Sequence, residues 1–233
     1  MASATRVLDE LDSARRELTD EITATRPVRL GAFATAAAGL VPKALAVLPP
    51  QLKVTLREAT TPALARGLRA GTLDLAVIAR TPPFRPPDAE SPAFELTTLS
   101  ERELAIGVPA RHSLARSGSV EAAELEGQVW VASRSDTGDT LLGVWPGLSE
   151  RPDIRYLVRD WLAKLQIVAA GLAITTVAPV MLDVLPAGIE VVAVRGEPQE
   201  TRRIVVARRS GPLDAATARV IDALITAARG GHP

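Results

Sequence analysis

At 233 residues and 47% hydrophobic, the chain can bury a sizeable core, in one large domain or in two lobes that share chain crossings. Its 27 basic and 27 acidic residues cancel, and it has no cysteine. That excludes disulfides, thiolate catalysis and Cys-ligated metals, and leaves no basic excess of the kind that grips nucleic acid.

In chain order, Thr5–Ala24 predicts a helix, with Leu8, Leu11, Leu18 and Ile22 at near-heptad spacing. So narrow an apolar stripe calls for a partner helix. Arg6, Asp9, Glu10, Asp12, Arg15 and Arg16 in this segment leave no apolar signal-peptide core. Farther on, the apolar runs Ala32–Val41 and Ile167–Leu182 are interrupted short of the ~20 residues a membrane span needs. The reading is a soluble, cytoplasmic protein. Arg26-Pro27 ends the first helix, since the residue before proline is pushed out of the α region.

Strands and helices then alternate. Val28–Phe33 predicts a strand, 36–48 a helix stopped by Pro49-Pro50, and Leu52–Leu56 a strand of period two. Thr61-Pro62 opens the next helix, with Thr61 as N-cap and Gly71 as its end, and Leu73–Ala79 reads as a buried parallel strand. β-α-β-α-β over this stretch implies a parallel sheet with helical crossovers. Five prolines crowd 81–92, which reads as a stiff extended break. Further strands are expected at Glu103–Val108, Val129–Ser133, Ile154–Val158, Ala173–Val177, Ile189–Val194 and Arg203–Arg208. Helices are expected at Trp161–Ala170, behind an Asp160 N-cap, and at Leu213–Arg229. Arg202, Arg203, Arg208 and Arg209 flank the last strand and read as a solvated edge.

Four segments in this order carry a resemblance. They are Arg29-Leu30-Gly31-Ala32-Phe33-Ala34-Thr35 with Gly39-Leu40-Val41-Pro42; Gly71-Thr72-Leu73-Asp74 after Thr60-Thr61; Pro109-Ala110-Arg111-His112-Ser113-Leu114-Ala115; and Val168–Ile174 with Pro179. Together the chain resembles the effector-binding domain of LysR-type transcriptional regulators, over nearly its whole length. It departs from the family pattern at Ser113, where proline is usual, at Ala173, where a second glycine is usual, and at Leu64, where glutamine is common.

The resemblance implies an α/β fold of the type 2 periplasmic-binding-protein kind, two Rossmann-like lobes joined by two crossings. Residues 1–26 would be a linker and dimerisation helix, 27–97 and 203–233 lobe I, and 98–202 lobe II. It also implies a homodimer or tetramer, and contact with DNA only through a winged helix-turn-helix that this chain does not hold. In such open sheets ligands bind beyond the carboxyl ends of the strands, where helix N-termini offer free N–H groups. Three helix starts should therefore face the cleft: Thr35, with Ala34 beside it; Thr61; and Ser133 to Asp136 after a strand of the second lobe, with Ser133 and Arg134 as the candidate contacts. The family uses the two threonine positions for ligand contact, although capping alone would also explain a threonine there. Arg80, just past its strand, could pair with an acidic effector, and Phe33 and Trp161 could line the cavity or belong to the core.

Nothing points to catalysis. His112 resembles a surface turn, no Gly-x-Ser-x-Gly elbow or phosphate loop is present, and no cofactor or metal is implied. The expected function is sensing of a small carboxylate or other polar effector that controls transcription through a ligand-dependent conformational change. The alternative is a solute-binding protein of a transporter, which shares the fold.

Overall fold

Val28–Ala32 (β1), Val54–Glu58 (β2) and Leu75–Arg80 (β3) lie side by side and parallel, with β1 between the other two. Ala34–Ala46 (α1) and Thr61–Arg69 (α2) make the crossovers. The computed structural model describes residues 26–80, 93–134, 141–196 and 200–230. The expected linker helix at Thr5–Ala24 and the proline-rich break at 81–92 lie outside these.

Two antiparallel strands complete the first sheet. Thr201–Arg208 (β12) pairs with β3, and Glu95–Glu103 (β4) pairs with β12, giving the order β2-β1-β3-β12-β4. The sheet is therefore mixed rather than purely parallel. Leu30, Val77, Val206 and Leu99 meet α1 and the C-terminal helix Ala215–Arg229 (α4) on one face. Leu64 and Leu68 of α2 pack on Ala76, Ile78 and Val205 on the other. Gly71 ends α2 at a φ of +67°, a conformation that favours glycine.

The remaining strands form two smaller sheets. Ala105–Pro109 (β5), Ser119–Glu121 (β6), Thr175–Val177 (β10) and Ile189–Arg195 (β11) run in the order β10-β5-β11-β6. Val129–Arg134 (β7), Leu141–Leu142 (β8) and Asp153–Leu157 (β9) run in the order β8-β7-β9. A bridge between Trp130 and Ile174 joins them, and both side chains share a core with Ile106, Val120 and Val192. Trp161–Ala169 (α3) covers this half. Its N-cap is Asp160, whose carboxylate accepts the Ala163 N–H at 2.7 Å.

The chain passes between the halves twice, once between β4 and β5 and once between β11 and β12. The passages touch, with Leu104 N–H donating to the Glu200 carbonyl at 2.7 Å. Residues 98–103 thus belong to the first sheet, as do Thr201 and Arg202; boundaries at 97/98 and 202/203 would cut through β4 and β12.

Three further expectations need correction. Thr60, not Thr61, is the N-cap of α2, and its side chain makes no cap bond. Thr35 lies inside the first turn of α1, behind an N-cap of Phe33. No helix begins at Ser133 or Arg134; both are in β7 and pair antiparallel with β8, and the rest of the expected start, 135–136, lies outside the described residues. The arginine edge is largely neutralised, with Arg202 on Glu200, Arg203 on Glu101 and Arg208 on Glu95. Arg209 donates to the Leu68 and Leu73 carbonyls.

Candidate functional site

A cavity of about 530 Å³ opens where the two halves face each other. Its wall includes Phe33 and Thr35 from the first turn of α1, Ala79 from β3, and Arg202 and Ile204 from β12. The other half contributes Ser133, Gly143, Trp145, Trp161 and Thr176. Three expected residues, Thr35, Ser133 and Trp161, therefore come together. Ala34, Thr61, Arg80 and Arg134 are not on the wall. Ala34 precedes Thr35 on the same turn, and Arg134 is exposed at the end of β7. Arg80 Nε is buried without a hydrogen-bond partner among the described residues. Burial, and then the charge of Arg203, lower the pKa of Arg80 from its ordinary value.

Thr35 is buried, and no hydrogen bond joins its hydroxyl to another described residue. It makes no cap bond, so the helix does not need it as a cap. Ser133 sits in a polar knot. Its Oγ accepts from Lys164 Nζ at 3.0 Å, and Lys164 Nζ also donates to the Leu142 carbonyl at 3.1 Å. Thr175 Oγ1 lies 3.1 Å from the Val131 carbonyl oxygen and 3.0 Å from that of Gly143. Burial pushes the Lys164 ammonium down to about 8.

The rest of the wall is mostly apolar, from Leu104, Val144, Trp145, Pro146, Leu148 and Ala178. Arg202 is held by Glu200 at 3.0 Å, and Glu150 is exposed. Phe33 and Trp161 are both half-buried on this wall and also pack against core residues. His112 caps a 3-10 turn at Ser113–Arg116, with Nδ1 accepting the Leu114 N–H at 3.3 Å. Among the described residues no group of three or more His, Asp or Glu could hold a metal ion. No helix there is long and apolar enough to cross a membrane.

Sequence reasoning missed Lys164, Gly143, Trp145, Thr176 and Arg202. Gly143 and Trp145 lie between β8 and β9, Thr176 is the middle residue of β10, and Arg202 lies near the start of β12. Lys164 did leave a signal, since it is one of three lysines among 27 basic residues and stands four before the core residue Val168.

The profile of the LysR substrate binding domain matches residues 23–229. The chain belongs to this family. It is a ligand-binding domain of the kind that LysR-type transcription regulators carry. A search of curated proteins finds no match. Among solved structures, full-length OxyR from Pseudomonas aeruginosa is similar at a TM-score of 0.67 and 22% identity, covering 98% of this chain and 75% of that one. The BenM effector binding domain with benzoate reaches 0.67 at 20% identity, covering 89% and 95%. The QuiR effector binding domain with shikimate reaches 0.64 at 18%, covering 88% and 98%. These likenesses show the shared bilobal fold.

Proposed function

We propose that this LysR-family domain senses a small carboxylate held in the cavity between its lobes, and that the ligand acts on transcription by changing how the lobes sit. The observation that carries the reading is that Thr35 of one lobe and Ser133 of the other line the same cavity. Both are hydroxyl donors, so a ligand that accepts from both ties the lobes together and shifts the population of closed forms. Lobe I is proposed as residues 27–103 with 201–230 and lobe II as 105–196. DNA reading is proposed to come through a helix-turn-helix outside this chain, in a cytoplasmic dimer or tetramer joined in part by the segment Thr5–Ala24.

BenM and QuiR support the ligand class, since benzoate and shikimate both carry a carboxylate. Similar structures also include oxidised and reduced forms of OxyR. With no cysteine, a thiol-based redox response is not open to this chain, which favours ligand sensing. The domain is proposed to bind rather than turn over its ligand.

A thermal-shift screen tests the reading with monocarboxylates, dicarboxylates, hydroxy acids, amides and sugars. A ligand at a hundred times its Kd stabilises the folded form by about 2.7 kcal/mol. A saturable rise in Tm with one or more acids is expected. No rise with any class of compound would contradict the proposal.

A further inference from the structure

Among the described residues, Lys164 is a charge without a counter-charge. Its side chain is almost fully buried, at 1% exposure, and no described carboxylate lies within ion-pairing distance. Its ammonium has two oxygen partners, Ser133 Oγ and the Leu142 carbonyl, and stands 4.5 Å from the centroid of the Trp161 ring. Packing alone does not call for a lysine here. Leu165 and Val168 cover the same part of α3, and an apolar residue at 164 would fill the space without desolvating a charge.

The hydrogen-bond accounting points from Lys164 into the cavity. An ammonium only donates, so Ser133 Oγ is the acceptor of that bond and its own proton must go elsewhere. The Leu142 carbonyl accepts it at 3.5 Å, longer than a normal O–H···O bond, which leaves the proton weakly engaged. The other direction open to the proton is the cavity, whose wall Ser133 forms. Gly143, on the same wall, has a φ of +100°, and a Cβ there would stand 2.8 Å from Lys164 Nζ. The backbone thus passes bare beside the ammonium. Around this polar corner, Trp145, Trp161, Val144 and Leu148 present apolar surface. Among the described residues on the wall the one basic side chain, Arg202, is already paired with Glu200.

We propose that Lys164, acting through Ser133, makes this cavity selective for a monocarboxylate with an apolar body. The ligand's carboxylate accepts the Ser133 proton and supplies the counter-charge that no described residue gives Lys164. The inference rests on the reading of the cavity as the effector site and adds the residue that sets the ligand's charge. Lys164 is a positioning residue, since Ser133 is what touches the ligand.

Protonated Lys164 favours the anion, so acid binding should be flat with pH below about 8 and weaken above it. On the elements packed against α3, the other charged groups are Arg134 of β7, Asp153 and Arg155 of β9, Asp183 of the 3-10 turn Pro179–Val184, and Glu190 and Arg195 of β11; β5 and β10 carry none. Asp160 at the cap is engaged by the Ala163 N–H. Tyr156 of β9 and the exposed Glu150 complete the titratable surroundings.

The test is calorimetric titration of the whole chain with benzoate, phenylacetate and isovalerate, each against its primary amide. Wild type, Lys164→Met, Lys164→Gln and Ser133→Ala are compared at about pH 7 and about pH 9.5, on either side of the Lys164 transition. Methionine keeps the volume and glutamine keeps a donor for Ser133, so at least one should fold, and circular dichroism checks which. At neutral pH the wild type should bind at least one acid roughly tenfold or more tighter than its amide. Both Lys164 variants should lose about ten- to a hundredfold in acid affinity, leave amide binding unchanged, and lose the pH dependence. Equal binding of acids and amides, unchanged acid binding in the folded Lys164 variants, or no saturable heat with any of the acids would overturn the proposal. If neutral ligands bind without a charge preference, charge selection fails while ligand sensing stands. If no compound of any class binds, both fail.

Discussion

A Cβ added to Gly39 would stand 1.9 Å from the carbonyl oxygen of Val180. The bare backbone of α1 thus rests on the 3-10 turn Pro179–Val184, which follows β10 in the other lobe. One turn before Gly39, Thr35 lines the cavity, as does Ala178 immediately before the 3-10 turn. The lobe contact and the cavity wall are therefore one continuous piece of structure.

Gly39→Ala should force these elements apart. Overpacking of this kind costs about 1–3 kcal/mol, read as a lower urea midpoint with an unchanged slope. The neighbouring ion pair of Lys43 with Asp183 is partly exposed. Removing it with Lys43→Ala should cost less than about 1 kcal/mol.

Asp74 anchors the start of β1. It accepts Arg29 Nε at 3.0 Å, Arg29 Nη2 at 2.6 Å and the Arg29 backbone N–H at 2.8 Å, with Arg26 adding a bond at 3.1 Å. Burial pushes its carboxyl up, but the hydrogen bonds and charge of Arg29, with Arg26, hold it below the usual carboxylate range. The folded pKa is depressed, so this stabilisation is full above the ordinary aspartate value and is lost as pH falls through the folded one. Asp74→Asn should cost about 1.5–3 kcal/mol at neutral pH. Denaturant titrations at successive pH values should show that cost shrinking in acid.

Lys164 works in the opposite sense. Its pKa is lowered from 10.5 to about 8, so folding strips a proton from it at intermediate pH and disfavours its charged form. Below pH 8 the penalty is fully present, at about 3 kcal/mol for that shift; between 8 and 10.5 it falls away as the unfolded chain deprotonates too. Lys164→Met should therefore stabilise the ligand-free domain at neutral pH, by less than that penalty because its hydrogen bonds are lost as well. The gain should shrink towards pH 10.5. A variant less stable than wild type at neutral pH would contradict the cost assigned to the buried ammonium.

Thr35→Val separates ligand contact from helix capping. Since α1 has no side-chain cap, the Tm of the free domain should change little. Affinity for a carboxylate bound in the cavity should fall about ten- to a hundredfold, the usual effect of deleting a hydroxyl that bonds a charged group. A lowered Tm with unchanged affinity would leave Thr35 a structural role only.

Much of the fold was legible because its signals are local. Asp160 before Trp161, Gly171 after α3, and alternating strand and helix patterns from Val28 onward need no knowledge of the rest of the chain. β4 was not legible. Along Glu95–Glu103 only Leu99 is buried, so the strand lacks the apolar pattern that marks the others and is defined by its pairing with β12. The boundary expected at 97/98 falls inside this strand. At the site, Thr35, Ser133 and Trp161 follow from strand and helix ends. The Ser133–Lys164 bond joins residues 31 positions apart, and no spacing rule connects them.

The central claim is that the ligand sits between Thr35 and Ser133, and the three tryptophans offer a direct test. Trp145 and Trp161 line the cavity, while Trp130 is fully buried in the core of the second lobe. Indole N–H signals of ¹⁵N-labelled protein should be followed as a carboxylate that raises the Tm is titrated in. Saturable shifts of Trp145 and Trp161 are expected at the calorimetric Kd, with Trp130 nearly still. Binding that saturates by calorimetry while both cavity indoles stay in place would contradict it.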